Sequence, residues 1–144
     1  MRIAALPPVI GALAASLALT ACATYPEEDT GSASCGYDSR DWKAWVNAMP
    51  GPGRNGPTLY ITGEVDMPSP GWSLTLVEGP ADRMQPPGLR FRLETERPGG
   101  MTTQVITPTE VRYAQTTRYH EIREIIITCG GEALATIDDV PVAH

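Results

Sequence analysis

Between Thr58 and Met67 apolar and polar residues alternate without a break. Leu59, Ile61, Gly63, Val65 and Met67 fall on one side, and Tyr60, Thr62, Glu64 and Asp66 on the other. A two-residue period puts every second side chain on one face of a strand, whereas a helix needs a period near 3.6. The stretch therefore reads as a half-buried strand, and the same period recurs along the chain. Leu89, Phe91 and Leu93 point inward, with Arg90, Arg92, Glu94 and Glu96 outward as a charged solvent face. Trp72, Leu74 and Leu76 share a face of Trp72–Glu78. Trp42–Met49 groups Trp42, Ala44, Val46 and Ala48, which leaves Trp45 outward; a helical turn is the competing reading there. Met101–Thr107 is the next expected strand, with Val105 inward and Pro108 as its breaker, followed by a short Glu110–Ala114. Tyr119–Cys129 ends in Ile125-Ile126-Ile127, the signature of a strand that is central or covered on both faces. In Glu132–Asp138, Ala133, Ala135 and Ile137 share a face.

Glycine and proline punctuate these runs. Pro50–Pro57, Pro68–Gly71, Gly79–Gly88 and Arg97–Gly100 carry loop chemistry, and Gly130-Gly131 is a two-residue hairpin signal. About seven short strands at regular spacing predict an all-β fold, an antiparallel β-sandwich of immunoglobulin-like architecture, with a small β-barrel as the alternative. The likeness to immunoglobulins is architectural only. Ile127 stands two residues before Cys129, where a tyrosine corner would have Tyr, and Cys35 precedes the first strand.

The N-terminus has a different character. Met1-Arg2 is followed by an apolar run from Ile3 to Leu19, interrupted by Pro7-Pro8, and then by Thr20-Ala21-Cys22. Leu19-Thr20-Ala21-Cys22 resembles the lipobox of bacterial lipoproteins. The resemblance covers residues 1–22 alone. It implies diacylglyceryl transfer to the Cys22 sulfur, cleavage before Cys22 and acylation of the new amine. Two or more acyl chains hold stably in a bilayer where one does not. Ala23 in place of Asp implies outer-membrane sorting, facing the periplasm, with the inner membrane as the other possibility. Three parts follow: a signal peptide at 1–21, a lipidated tether at 22–39 and one β-domain at 40–144. The tether has Gly, Ser, Pro and the acids Glu27-Glu28-Asp29, and no apolar period. Those acids would be repelled by anionic headgroups, which favours standing off. With Cys22 acylated, Cys35 and Cys129 remain as one pair, which suits an oxidising compartment.

The formal charge is −6, and loss of Arg2 with the signal peptide, a single positive charge, makes it −7. No basic patch suited to phosphates is present, so nucleic acid is not an expected partner. No motif predicts a cofactor, metal or catalytic residue. His120-Glu121 begins like a zinc-protease motif, but Glu124 stands where the second histidine should be. Gly51–Gly56 is glycine-rich without the Lys-Ser/Thr of a phosphate loop, and Asp138-Asp139 lack a flanking oxygen pattern for a cation. The expected function is a non-enzymatic, lipid-anchored binding or accessory module of the cell envelope. It would be held by the membrane through Cys22 and would meet an envelope protein or glycan through Trp45, Arg54 and Asn55. The rival is a small inhibitor of an envelope-directed hydrolase, inserting loop 50–57 or 79–88. An enzyme without a recognisable motif is the outsider.

Overall fold

The computed structural model describes residues 35–53 and 55–144; the expected signal peptide, Cys22, the expected tether up to residue 34, and Arg54 lie outside the described residues. The described chain is all-β. Its strands are β1 Ser39–Asn47, β2 Thr58–Met67, β3 Ser73–Glu78, β4 Gly88–Glu96, β5 Thr107–Thr116, β6 Glu124–Cys129, β7 Glu132–Ile137 and β8 Val142–Ala143. They form two open four-stranded sheets, ordered β5-β2-β1-β8 and β3-β4-β6-β7. Neither sheet closes on itself, so the barrel alternative is not formed.

The alternation drives this arrangement. Leu59, Ile61, Val65 and Met67 of β2 are at most 1% exposed, and so are Leu89 and Phe91 of β4. With Val46, Val111, Ile125, Ile127 and Ile137 they make one core shared by both sheets. Phe91 of β4 meets Tyr113 of β5 edge-on across that core, with ring centroids 4.9 Å apart. Each such side chain contributes about 1.5–3 kcal/mol by leaving water.

Both sheets are mixed, which corrects the antiparallel expectation. β4 and β6 pair in parallel, with Leu89 opposite Ile125 and Phe91 opposite Ile127. The reason is the path of the chain. β4 ends, β5 makes the antiparallel return in the other sheet beside β2, and β6 then re-enters the first sheet in the direction of β4. β1 and β8 are also parallel, with Val46 opposite Val142.

Other boundaries differ for local reasons. Met101–Ile106 is not a strand, and Val105 is exposed rather than inward. Pro108 does not break a strand but lies inside β5, opposite Asp66. β5 is an edge strand, where a missing N–H costs no ladder bond on the solvent side. The expected strand from Tyr119 starts only at Glu124, because residues 117–123 cross between the sheets. β6 is indeed internal, flanked by β4 and β7. A register shift between Ile127 and Thr128 breaks the simple face of β7, so Leu134 and Ala135 are both half-buried and Ala133 is exposed.

Strand directions give the body two ends. Cys35–Asp38, residues 68–72, residues 97–106 and Gly130-Gly131 cluster at one, termed the entry end. Residues 48–57, 79–87, 117–123 and 138–141 cluster at the other, the far end. Asp66 N–H donates to Asp38 C=O at the entry end; Thr117 N–H donates to Pro57 C=O at the far end.

Candidate functional site

The entry end is tied down by sulfur. Cys35 and Cys129 lie at disulfide distance, with Cα atoms 5.4 Å apart, inside the range a bridge requires. The chain thus joins the body at the end of β6. Beside this point Tyr37 meets Trp72 edge-on at 6.2 Å, and Arg97 lies over the Trp72 ring at 5.6 Å.

Trp45 alternates with the buried Ala44 and Val46 and so lies on the outer face of its sheet. It is not free. Tyr60 stands directly opposite it on β2, and the two rings stack with centroids 5.2 Å apart and planes 6° apart. Such a cross-strand aromatic pair stabilises the sheet and presents a rigid apolar surface at little entropic cost. The neighbouring row holds Lys43, Thr62 and Arg112, and Arg112 pairs with Glu110 at 2.7 Å. Asn55 is exposed at the far end, on the 48–57 loop; Arg54 lies outside the described residues.

The inward neighbour Trp42 sits where β1 departs from regular pairing. The register shifts between Arg40 and Lys43, and Asp41 takes φ 57°, a left-handed conformation that Asp tolerates better than most residues. The bulge lays the Trp42 ring over Gly63, where any Cβ would overlap it. Trp42 Nε1 donates to Ser39 Oγ at 3.0 Å. Trp42, Ala44 and Trp45 line one side of a groove of about 540 Å³, and Ile137, Asp138 and Asp139 line the other. The Asp138-Asp139 pair is therefore exposed at the rim of an apolar groove.

The far end also holds a braced loop. Asp82 Oδ1 accepts from the backbone N–H of Met84 (3.0 Å) and of Gly88 (2.9 Å), and Arg123 donates to Asp82 Oδ2 at 2.6 Å. Arg123 N–H donates to Pro87 C=O, and its guanidinium also meets Glu124 at 2.7 Å. The Gly88 N–H, helped by that of Met84 and by Arg123, holds the Asp82 carboxyl below its ordinary range. A Cβ at Gly88 would stand 2.8 Å from Asp82 Oδ2, so the carboxylate would have to shift to admit one. The brace presents Arg83, Met84, Gln85 and Pro86 to solvent. Tyr113 lies between the sheets' edges, donates to Glu78 at 3.0 Å, and is pushed up to about 12 by burial and by that carboxylate.

The remaining sequence candidates stay apart. His120 is exposed on the 117–123 crossover, and His144 is exposed at the last residue. Among the described residues no three of His, Cys, Asp and Glu are grouped as metal ligands. Sequence reasoning missed Tyr60 as the partner of Trp45, and missed the Asp82–Gly88–Arg123 brace. The first needs a strand register; the second joins residues 41 apart in sequence. Neither leaves a local pattern.

No family model matches the chain, and neither a curated protein nor a solved structure shows significant similarity to it.

Proposed function

We propose that this chain is a lipid-anchored, non-enzymatic binding or accessory module on the periplasmic side of a bacterial envelope. Acyl chains on Cys22 hold it, sorted to the outer membrane, and one folded domain from residue 40 onward does the binding. In this reading the two sheets are the layers of a β-sandwich with immunoglobulin-like architecture. The observation that carries it is the opposition of the two ends. A tether arriving at Cys35 meets the entry end, while Trp45 with Tyr60, Asn55 and the braced 79–87 loop lie toward the far end. A ten-residue strand such as β2 separates them by about 33 Å. The partner is an envelope protein or glycan meeting the Trp45–Tyr60 surface. A photoreactive residue at position 45 or 55 in cells should form adducts that the same residue at 132, on the entry end, does not. Equal adduct formation at 45, 55 and 132 would refute the assignment.

The inhibitor reading gains one specific observation. Loop 79–87 is held by Asp82 in one conformation with Met84 at its crest, and preorganisation of this kind favours insertion into a cleft. Replacing residues 83–86 by Gly/Ser would abolish inhibition of a target hydrolase while leaving the fold intact. An accessory module that binds through Trp45 would keep its partner.

A further inference from the structure

The entry end carries exposed apolar side chains that the reading above does not use. Met101 is 103% exposed, Ile106 72% and Val105 53%. They lie on the 97–106 connection, whose residues from Pro98 to Thr109 hold no charge over twelve positions in a chain with 28 charged residues. The adjacent turn, Pro68-Ser69-Pro70-Gly71-Trp72, is uncharged as well. Ile106 borders a cleft with Gly36, Tyr37, Asp38, Asp66 and Pro68, so the apolar loop flanks the point where the chain enters the body, beside two carboxylates of which Asp66 is paired with Arg40. Large apolar side chains left in water on an uncharged loop call for a cover.

We infer that this end is covered by a lipid surface: Met101, Val105 and Ile106 dip into the bilayer that holds Cys22. The inference rests on the anchor reading, and the short chain between the two favours the contact. Cys22 is 13 residues before Cys35. Thirteen residues reach about 45 Å at most, even fully extended, so a lipid-held Cys22 keeps the entry end close to the bilayer, where even weak apolar contacts are populated. Arg97 is engaged over Trp72, and the loop offers no further cation, so the contact works through apolar burial rather than headgroup charge. Side chains of this kind sit about 5–10 Å into the headgroup–acyl boundary. The acids of the tether then act as a spacer along the surface rather than holding the body away from it. The outcome is a domain held upright, with its far end turned from the membrane.

The test uses the exported full chain with an environment-sensitive fluorescent residue in place of Met101 or, separately, of Met84. Both positions are exposed, so neither exchange disturbs the core. The mass of the exported protein first reads acylation at Cys22. If Cys22 is unmodified, the anchor reading fails, and its free thiol is coupled to a maleimide phospholipid so that the loop is still read at a bilayer. In phosphatidylcholine vesicles carrying bilayer-embedded quenchers, the probe at 101 should shift to the blue and be quenched several-fold more than the probe at 84. The effect should persist at molar salt. Val105→Ser with Ile106→Ser should cut the quenching at 101 several-fold. Equal quenching at 101 and 84 would overturn the inference. So would a blue shift at 101 that needs added envelope protein and is absent with lipid alone, which would give the loop to a protein partner.

Discussion

The contact between Trp42 and Gly63 allows a prediction whose sign depends on one ring. Gly63 lies inside β2 without a positive φ, so its backbone is ordinary strand. Alanine at an open site of that kind gains about 0.5–1 kcal/mol over glycine, because the unfolded chain loses freedom. Here the added Cβ overlaps the Trp42 ring. The ring cannot simply swing away, because the bulge at Asp41 and the hydrogen bond to Ser39 set its position. Overpacking of this kind costs about 1–3 kcal/mol. Gly63→Ala should therefore destabilise the protein by about that amount. In a Trp42→Ala background the same substitution should instead stabilise by about 0.5–1 kcal/mol. The two residues would be coupled by about 1.5–4 kcal/mol, at or above the upper range for side chains in contact. Urea unfolding of the four proteins of the cycle, with the disulfide intact in all, measures this. If Gly63→Ala destabilises the Trp42→Ala protein as much as the parent, the ring is not what excludes a Cβ, and the reasoning fails.

Removing both cysteines (Cys35→Ser, Cys129→Ser) opens a loop with a sequence separation of 94. The chain-entropy model puts the loss near 4.7 kcal/mol, and the urea m-value should rise as the unfolded chain expands. Asp82 has a folded pKa below its unfolded value of about 3.9, so its contribution is present above about pH 4 and is lost as pH falls through the folded value. Asp82→Asn should therefore be less stable than the parent at neutral pH, with the gap closing in acid denaturation series. Tyr113 is shifted the other way, to about 12. Its contribution is fully present below about pH 10 and is lost as pH rises through 12. One of the five tyrosines should show its phenolate absorbance last, and Tyr113→Phe should remove that step.

The parts of this fold that were legible in the chain are those governed by nearest neighbours. Alternation at Thr58–Met67 and Leu89–Glu96 located β2 and β4 and named their buried residues, because a strand with one covered face must alternate. The isoleucine run identified an internal strand for a different reason, since a strand at the centre of a sheet tolerates apolar residues on both faces. What stayed illegible depends on partners distant in sequence. Hairpin logic predicts antiparallel neighbours, and nothing local to β4 or β6 says that the chain visits the other sheet between them. Pro108 reads as a breaker until β5 is known to be an edge. Val105 and Ile106 read as strand because β-branched residues favour one, yet no strand is offered to them there. At the candidate site, Trp45 could be placed outward from its own period, but its stacking on Tyr60 required the register of two strands. The Asp82 brace required the crossover that brings Arg123 back to loop 79–87.

The parallel pairing of β1 with β8 has a consequence for synthesis. Val46 and Ala48 donate to the carbonyls of Pro141 and Ala143, so β1 finds its second neighbour only once residues 141–143 are available. A growing chain that has made residues 39–67 can form the β1–β2 ladder but leaves the opposite edge of β1 with unpaired N–H groups, open to pairing with other chains. Closure by β8 delays completion of the sheet until residues 142–143 arrive. Truncation before Val142 should therefore yield a protein whose failing is association through β1 rather than loss of its core.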